Sequence, residues 1–489
     1  MALRGDDRTR RPRAIRRALA AALATVALAA SAGVASAHEI VAREFTAPVP
    51  LELLFVGAGA TVGLTALWLG VADRRAGGSE RAARQPAPEP SDRPLARVPA
   101  AVARPIVTVA RVGFLALFVG ALAHGILGRQ VAAENLATLV LWPLVLKGVG
   151  LLAVLVGSPW RVLSPWETLY DGLVALEGRE IALAGSYPER LGAWPAVAGF
   201  VLGVGVLENL TVATRSPSIT VAVAAAYAVA MLVGSVAFGR EWFARADALT
   251  VLFDLLGRIA PLAVRRRDDG SVALAVRPPW RGVTRPLGNT SLVAFVVAAV
   301  YTVSFDGFTA TRAYRSLLDP AREALGVGVA SVALYASGLA VFLVSFALAA
   351  ALAERLGTGA IPSSADPTAA ATAFGATVIP IAAAYEVAHN YPFVATNLGA
   401  TVAVVRDLAL GTAGDPIRPL AGLSVELFWL SQVALVVAGH LVAVVAAHRV
   451  ATRRYGGRGA ARRGHAPFVL VMVGYTMLSL WIVSRPLAA

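Results

Sequence analysis

The sequence contains no cysteine, a single lysine and only four methionines in 489 residues. Without cysteine, disulfides, thiolate metal sites and thiol nucleophiles are excluded, and any bound metal needs nitrogen and oxygen ligands. So few methionines, one of them the initiator, give little support to a methionine-lined copper(I) route. A P-loop, an H-E-x-x-H zinc pair and a G-x-S-x-G nucleophile elbow are also missing, so nothing announces an ordinary ATPase, zincin or serine hydrolase. Charge is sparse too. Asp, Glu, Lys and Arg make up 15% of the chain against 57% hydrophobic residues, with a mean hydropathy of +0.67. That balance lies outside the soluble globular range and defines a polytopic membrane protein.

Apolar runs of about 20 residues, the length that crosses a bilayer, occur near 51–72, 106–127, 136–157, 194–212, 218–238, 287–306, 326–353, 369–391, 421–447 and 467–484. The expected fold is therefore an all-α, polytopic transmembrane helical bundle of about ten spans. Ahead of it, a basic stretch (8–17), an apolar core (18–30) and Ala35-Ser36-Ala37 have the layout of a cleavable secretory signal. Residues 1–37 are thus read as signal peptide, 38–50 as an extracytoplasmic segment and 51–489 as the helical domain. With His38 outside, the inner loops are 73–104, 158–193, 239–286, 354–368 and 449–465. These loops hold 26 arginines against nine in the outer segments, which satisfies the positive-inside rule and places both mature termini outside a multi-pass cell membrane protein. The formal charge of +14 is then a matter of topology and not of nucleic acid. The expected partners are the lipid bilayer and a small-molecule substrate or metal ion.

Between the spans, the proline-rich QPAPEPSDRP of the first inner loop reads as a linker. Segments 166–183 and 242–262 carry apolar residues at helical spacing and are expected as amphipathic helices along the inner surface. The apolar stretch 393–411 is interrupted by Arg406-Asp407 and reads as an outer amphipathic or re-entrant segment. Ser-Pro-Trp occurs twice, at 158–160 and 164–166, and tryptophan beside a proline turn reads as an interfacial anchor.

Ionisable groups inside spans are costly, so their positions carry information. Spans two, four, six and eight run outward, and their outer ends bear His124, Glu208, Asp306 and the pair Glu386 and His389. Together with His38, these residues are expected to converge on an outward-facing polar cup. Glu386 and His389 are three residues apart and share a helix face, the E-x-x-H spacing of bundle metal proteins. His38, freed by signal cleavage, offers an α-amine and an imidazole, so His38, His124 and His389 form a candidate site for a divalent metal such as copper or zinc. Lys147 falls in the middle of the third span, four residues after Pro143, where an ammonium needs a partner; Glu208, Glu386 and Glu426 are the candidates. His440 reads as a packing residue, and His448 and His465 as part of the basic inner surface.

Several short motifs resemble those of the fenitrothion hydrolase-like family of polytopic prokaryotic membrane proteins. They are Ala37-His38 with Arg43 entering the first span, Ser-Pro-Trp at 164–166, Arg277-Pro278-Pro279, Ser304-Phe305-Asp306-Gly307 and Ala384-Tyr385-Glu386-Val387-Ala388-His389. The resemblance extends over most of the chain and implies a membrane-bound phosphotriester hydrolase. In that reading the metal activates water and Asp306 or Glu386 acts as the catalytic base. A metal or solute transport or handling protein needs the same cup plus an inward path, with Lys147 and Glu426 as polar steps. A third reading is a non-catalytic membrane scaffold whose polar residues cap helices.

Overall fold

A computed structural model describes residues 51–75, 93–359, 366–412 and 415–483. The expected signal peptide and His38 lie outside the described residues. Within a bilayer the backbone must satisfy its own hydrogen bonds, and an apolar chain does so as helix. Among the described residues, nine helical segments are long and apolar enough to cross a membrane, and the chain is a helical bundle of multi-pass type. They are α2 (Ala100–Leu127), α3 (Leu136–Val156), α5 (Glu189–Glu208), α6 (Pro217–Phe238), α9 (Thr290–Thr309), α11 (Val327–Thr358), α12 (Pro367–Leu410), α13 (Val425–Tyr455) and α14 (Arg458–Val483). The first helix, α1 (Leu51–Arg75), contains a shorter apolar stretch, Val56–Trp68. Shorter helices lie between spans: α4 (Pro165–Glu177), α7 (Glu241–Ala246), α8 (Ala248–Leu256) and α10 (Arg312–Leu325).

Helix starts are written into the sequence. The side chains of Asn135, Ser164, Ser216, Asp247, Asn289, Thr311, Asp366 and Ser424 each accept a backbone N–H from the first turn that follows, filling donors that the helix leaves open. The centre of the bundle is α3, α9 and α12, which are mostly buried, while α2, α6 and α11 mostly face outward. Lipid tails are as apolar as the helices, so association depends on close packing of small residues. Gly439 of α13 shows this: a Cβ there would collide with Ala384 and with the Pro380 carbonyl of α12. Ala443, Ala446, Ala447 and Ala451 continue the same buried face of α13.

Three expectations need correction. Segment 393–411 is not a separate re-entrant piece, because the α-helical part of α12 that follows a 3-10 turn at Ala376–Val378 runs unbroken from Ile379 to Leu410 and ends at Gly411 in the left-handed conformation. The segments expected as amphipathic helices do not stand free of the bundle: Trp166 and Tyr170 of α4 and Val251, Phe253, Leu255 and Leu256 of α8 are buried core residues, while Leu169, Leu173 and Leu176 of α4 stay exposed, the one-sided burial of an amphipathic helix. Nor are the two Ser-Pro-Trp tryptophans interfacial anchors, since both indoles turn inward and donate to Asp247. Finally, two of the loops between spans contribute a three-stranded antiparallel sheet in the order β1 (Arg93–Val98), β3 (Val272–Val276), β2 (Leu262–Arg266). Arg93 pairs with Val276 and Leu262 pairs with Val276 from the other side, so the end of the proline-rich linker is an edge strand.

An intramembrane charge cluster as the candidate functional site

Pro143 has no amide hydrogen to give to a carbonyl one turn back, so it disrupts the ordinary helical ladder. Around it, Leu141–Gly148 winds as a π-helix eight residues long, and the amide of Val149 donates to the Leu144 carbonyl five residues earlier. The second interruption is in α5, where Val201–Glu208 is also a π-helix of eight residues. π-windings are costly and concentrate at functional sites. Here they carry the two halves of one ion pair: Lys147 is the seventh residue of the first winding and Glu208 the last of the second.

Lys147 Nζ stands 3.1 Å from Glu208 Oε1 and 3.8 Å from Glu386 Oε1. The Lys147 and Glu208 side chains are 5% and 1% exposed, so this is a desolvated pair and not a surface bridge. One helical turn along α12 from Glu386, His389 places Nε2 3.0 Å from Asp306 Oδ2 of α9. Asp306 and His389 both have interactions beyond this pair. Buried polar atoms without a protein hydrogen-bond partner surround the cluster in sequence: Glu208 Oε2, both polar atoms of the Asn209 side chain, Asn390 Oδ1 and the Tyr385 hydroxyl. Asn390 Nδ2 is occupied by the Glu386 carbonyl.

Four of the polar groups expected to converge do so: Glu208, Asp306, Glu386 and His389 assemble with Lys147. His124 does not join them. Its Nδ1 accepts the Leu136 amide at 3.2 Å, and its carbonyl accepts Asn135 Nδ2 and the Gly128 amide, so it fastens the turn between α2 and α3. Glu426 is no partner of Lys147 either, because it lies exposed in the first turn of α13. His448 and His465, expected on the basic surface, are buried with their rings 5.5 Å apart.

The metal reading is overturned. Among the described residues, no group of three or more His, Asp or Glu side chains is arranged to hold a metal ion. The physical reason is visible in the pairing. Glu386 faces an ammonium, Asp306 is bonded to His389, and His124 is taken by a backbone amide. The copper or zinc centre of His38, His124 and His389 therefore has no support, and the metal-dependent hydrolase with Asp306 or Glu386 as its base falls with it. The π-windings were not foreseen from the sequence. Pro143 was the signal for the first, and Gly203 and Gly205 lie in the second.

No family model matches the chain, and neither does any curated protein or solved structure. Fold and site together define its class as a multi-pass helical membrane protein with a buried acid–base cluster between its central spans.

Proposed function

We propose that the chain is a solute-transporting membrane protein whose substrate passes through the Lys147, Glu208 and Glu386 cluster. The observation that carries this reading is the placement of a buried ammonium and one of its two carboxylates on π-wound stretches of two spanning helices. A charge at the centre of a spanning helix costs about 2.5–3.5 kcal/mol on insertion scales, and such residues mark ion and solute pathways. Helices broken near the middle of the membrane are where secondary transporters build their binding sites. A scaffold gains nothing from this arrangement, since apolar residues of equal volume would pack α3, α5 and α12 at least as stably. In this reading the arginine-rich ends of the helices face the cytoplasm.

The test is reconstitution of the purified protein in liposomes on a solid support. Currents are recorded on jumps in concentration of amino acids, amines, carboxylates and neutral sugars. Transport predicts a current with at least one class, abolished in Glu208→Gln and Lys147→Met. If the parent gives no current with any class while remaining folded, the transport reading is wrong.

A further inference from the structure

The Lys147 triad is unbalanced. One ammonium faces two carboxylates, at 3.1 and 3.8 Å, and Glu208 and Glu386 are both buried. With all three groups ionised, the triad would carry one uncompensated negative charge at membrane depth, which costs several kcal/mol even after relaxation. Two carboxylates that share one site cannot both ionise cheaply, and the usual resolution is that one proton stays between them. A second observation supports this independently of the charge count. Glu208 Oε1 is satisfied by Lys147, but Oε2 is buried with no hydrogen-bond partner from the protein. An anionic oxygen stripped of water and bare of donors is the most expensive state of a carboxyl group, and a proton removes that charge.

We infer that Glu208 and Glu386 together bind one exchangeable proton held against Lys147, which makes the triad a proton-binding site. The other titratable groups facing it are Asp306 and His389, which bond to each other, and the Tyr385 hydroxyl, which lies beside Gly307 of α9. The chemistry is a transfer of one proton: on release a carboxyl O–H breaks, the electron pair stays on oxygen and the proton passes to water, and the triad keeps one net negative charge until a proton returns, with Lys147 within reach of both carboxylates. That the proton serves as the co-ion of solute movement rests on the transport reading; the existence of the bound proton does not.

The experiment is infrared difference spectroscopy on the full chain in lipid nanodiscs at neutral pH, with glutamate carboxyls labelled with carbon-13. The parent for this experiment carries Glu167→Gln, because that glutamate, raised to about 7 by burial, would add its own protonated band; it should show the carbonyl stretch of one protonated carboxyl that shifts with the glutamate label. Glu208→Gln and Glu386→Gln should each abolish it, because either leaves one carboxylate matched to one ammonium. Lys147→Met should double it. A parent spectrum without a labelled carboxyl band, or a band unmoved by both glutamine variants, overturns the proposal. The role as co-ion is read separately, from solute currents measured with and without a pH gradient. Currents indifferent to the gradient remove that role, whereas a labelled band with no current for any solute removes the transport reading and leaves the proton site standing.

Discussion

Trp160 and Trp166, from the two Ser-Pro-Trp stretches, donate their indole N–H groups to the same oxygen, Asp247 Oδ2, at 3.3 and 2.8 Å. Thr250 Oγ1 adds a third bond to that oxygen, and the Tyr227 hydroxyl and Leu249 amide bond to Oδ1. Asp247 is fully buried, so one carboxylate ties α4, α6 and α8 together and caps α8 as well. Asp247→Ala strands several buried donors at about 1–3 kcal/mol each. Thermal unfolding in detergent should show its Tm well below that of Trp160→Phe, which removes a single bond. Equal Tm values for the two variants would mean that the hub does not bear on stability.

Glu167, one turn into α4, lies beside this hub. Burial, reinforced by the Asp247 and Asp171 carboxylates and opposed by Arg161 and Arg111, pushes it up to about 7 from its ordinary 4.5. Folding therefore favours the protonated form. This contribution to stability is complete below about 4.5 and is lost as pH rises through about 7. Glu167→Gln should remove that decline, so that the variant gains Tm relative to the parent as pH rises from 5 to 8, the range over which the group titrates. Parallel Tm profiles for the two proteins across that range would contradict the assignment.

Lys147→Met leaves Glu208 and Glu386 without their cation. Breaking a buried pair by removing one partner costs about 3–5 kcal/mol, less whatever the carboxyls recover by protonation. The loss should be larger at pH 8 than at pH 5, because protonation rescues the acids at the lower value. Adding Glu208→Gln to Lys147→Met should restore part of the Tm. A Lys147→Met protein that melts with the parent at both pH values would show the ion pair to be dispensable.

The spans were legible because apolar length alone decides them, and the lone lysine within an apolar run pointed to a partnered interior charge. Two of its three proposed partners, Glu208 and Glu386, are where that argument placed them. The π-windings were not legible: Pro143 announces that the ladder fails but not which register replaces it. Residues 393–411 were misread because Arg406-Asp407 looks like an interruption, yet a charged pair near the end of a helix does not stop it, and nothing before Gly411 does. The strand β1 was hidden in Arg-Pro-Leu-Ala-Arg-Val, whose only cue for pairing lies almost 180 residues away in β3. His448 and His465 were misplaced because their sequence neighbours are arginines, although the rings themselves turn into the interface of α13 and α14.

Orientation is open to a simple labelling experiment, since the absence of cysteine gives a clean background. Asp268 is exposed in the turn between β2 and β3, and Ser316 is exposed on α10 at the arginine-poor end. If the arginine-rich ends are cytoplasmic, Ser316→Cys should react with an impermeant maleimide in intact cells and Asp268→Cys only after lysis. The reverse pattern would invert the topology.

The last prediction concerns how the Glu208 winding is held. Tyr335 of α11 lies across Gly205, in the middle of Val201–Glu208, and its hydroxyl bonds Thr302 Oγ1 of α9 at 2.7 Å. A Cβ at position 205 would collide with the Tyr335 ring and hydroxyl, neither of which can retreat, because Tyr301 and Phe305 pack against the same ring. Gly205→Ala should therefore cost about 1–3 kcal/mol by overpacking and push the winding, with Glu208 at its end, out of register with Lys147. Tyr335→Phe keeps the ring and loses only the bond to Thr302, a change of about 1 kcal/mol. The diagnostic comparison is the double variant Gly205→Ala with Tyr335→Ala: removing the ring makes room for the new methyl. Compared with Tyr335→Ala alone, the added alanine should then cost little stability and leave the Glu208 carboxyl signal in place. If Gly205→Ala is equally harmful with and without Tyr335, the clamp is not what holds the winding, and its register is set within α5 itself.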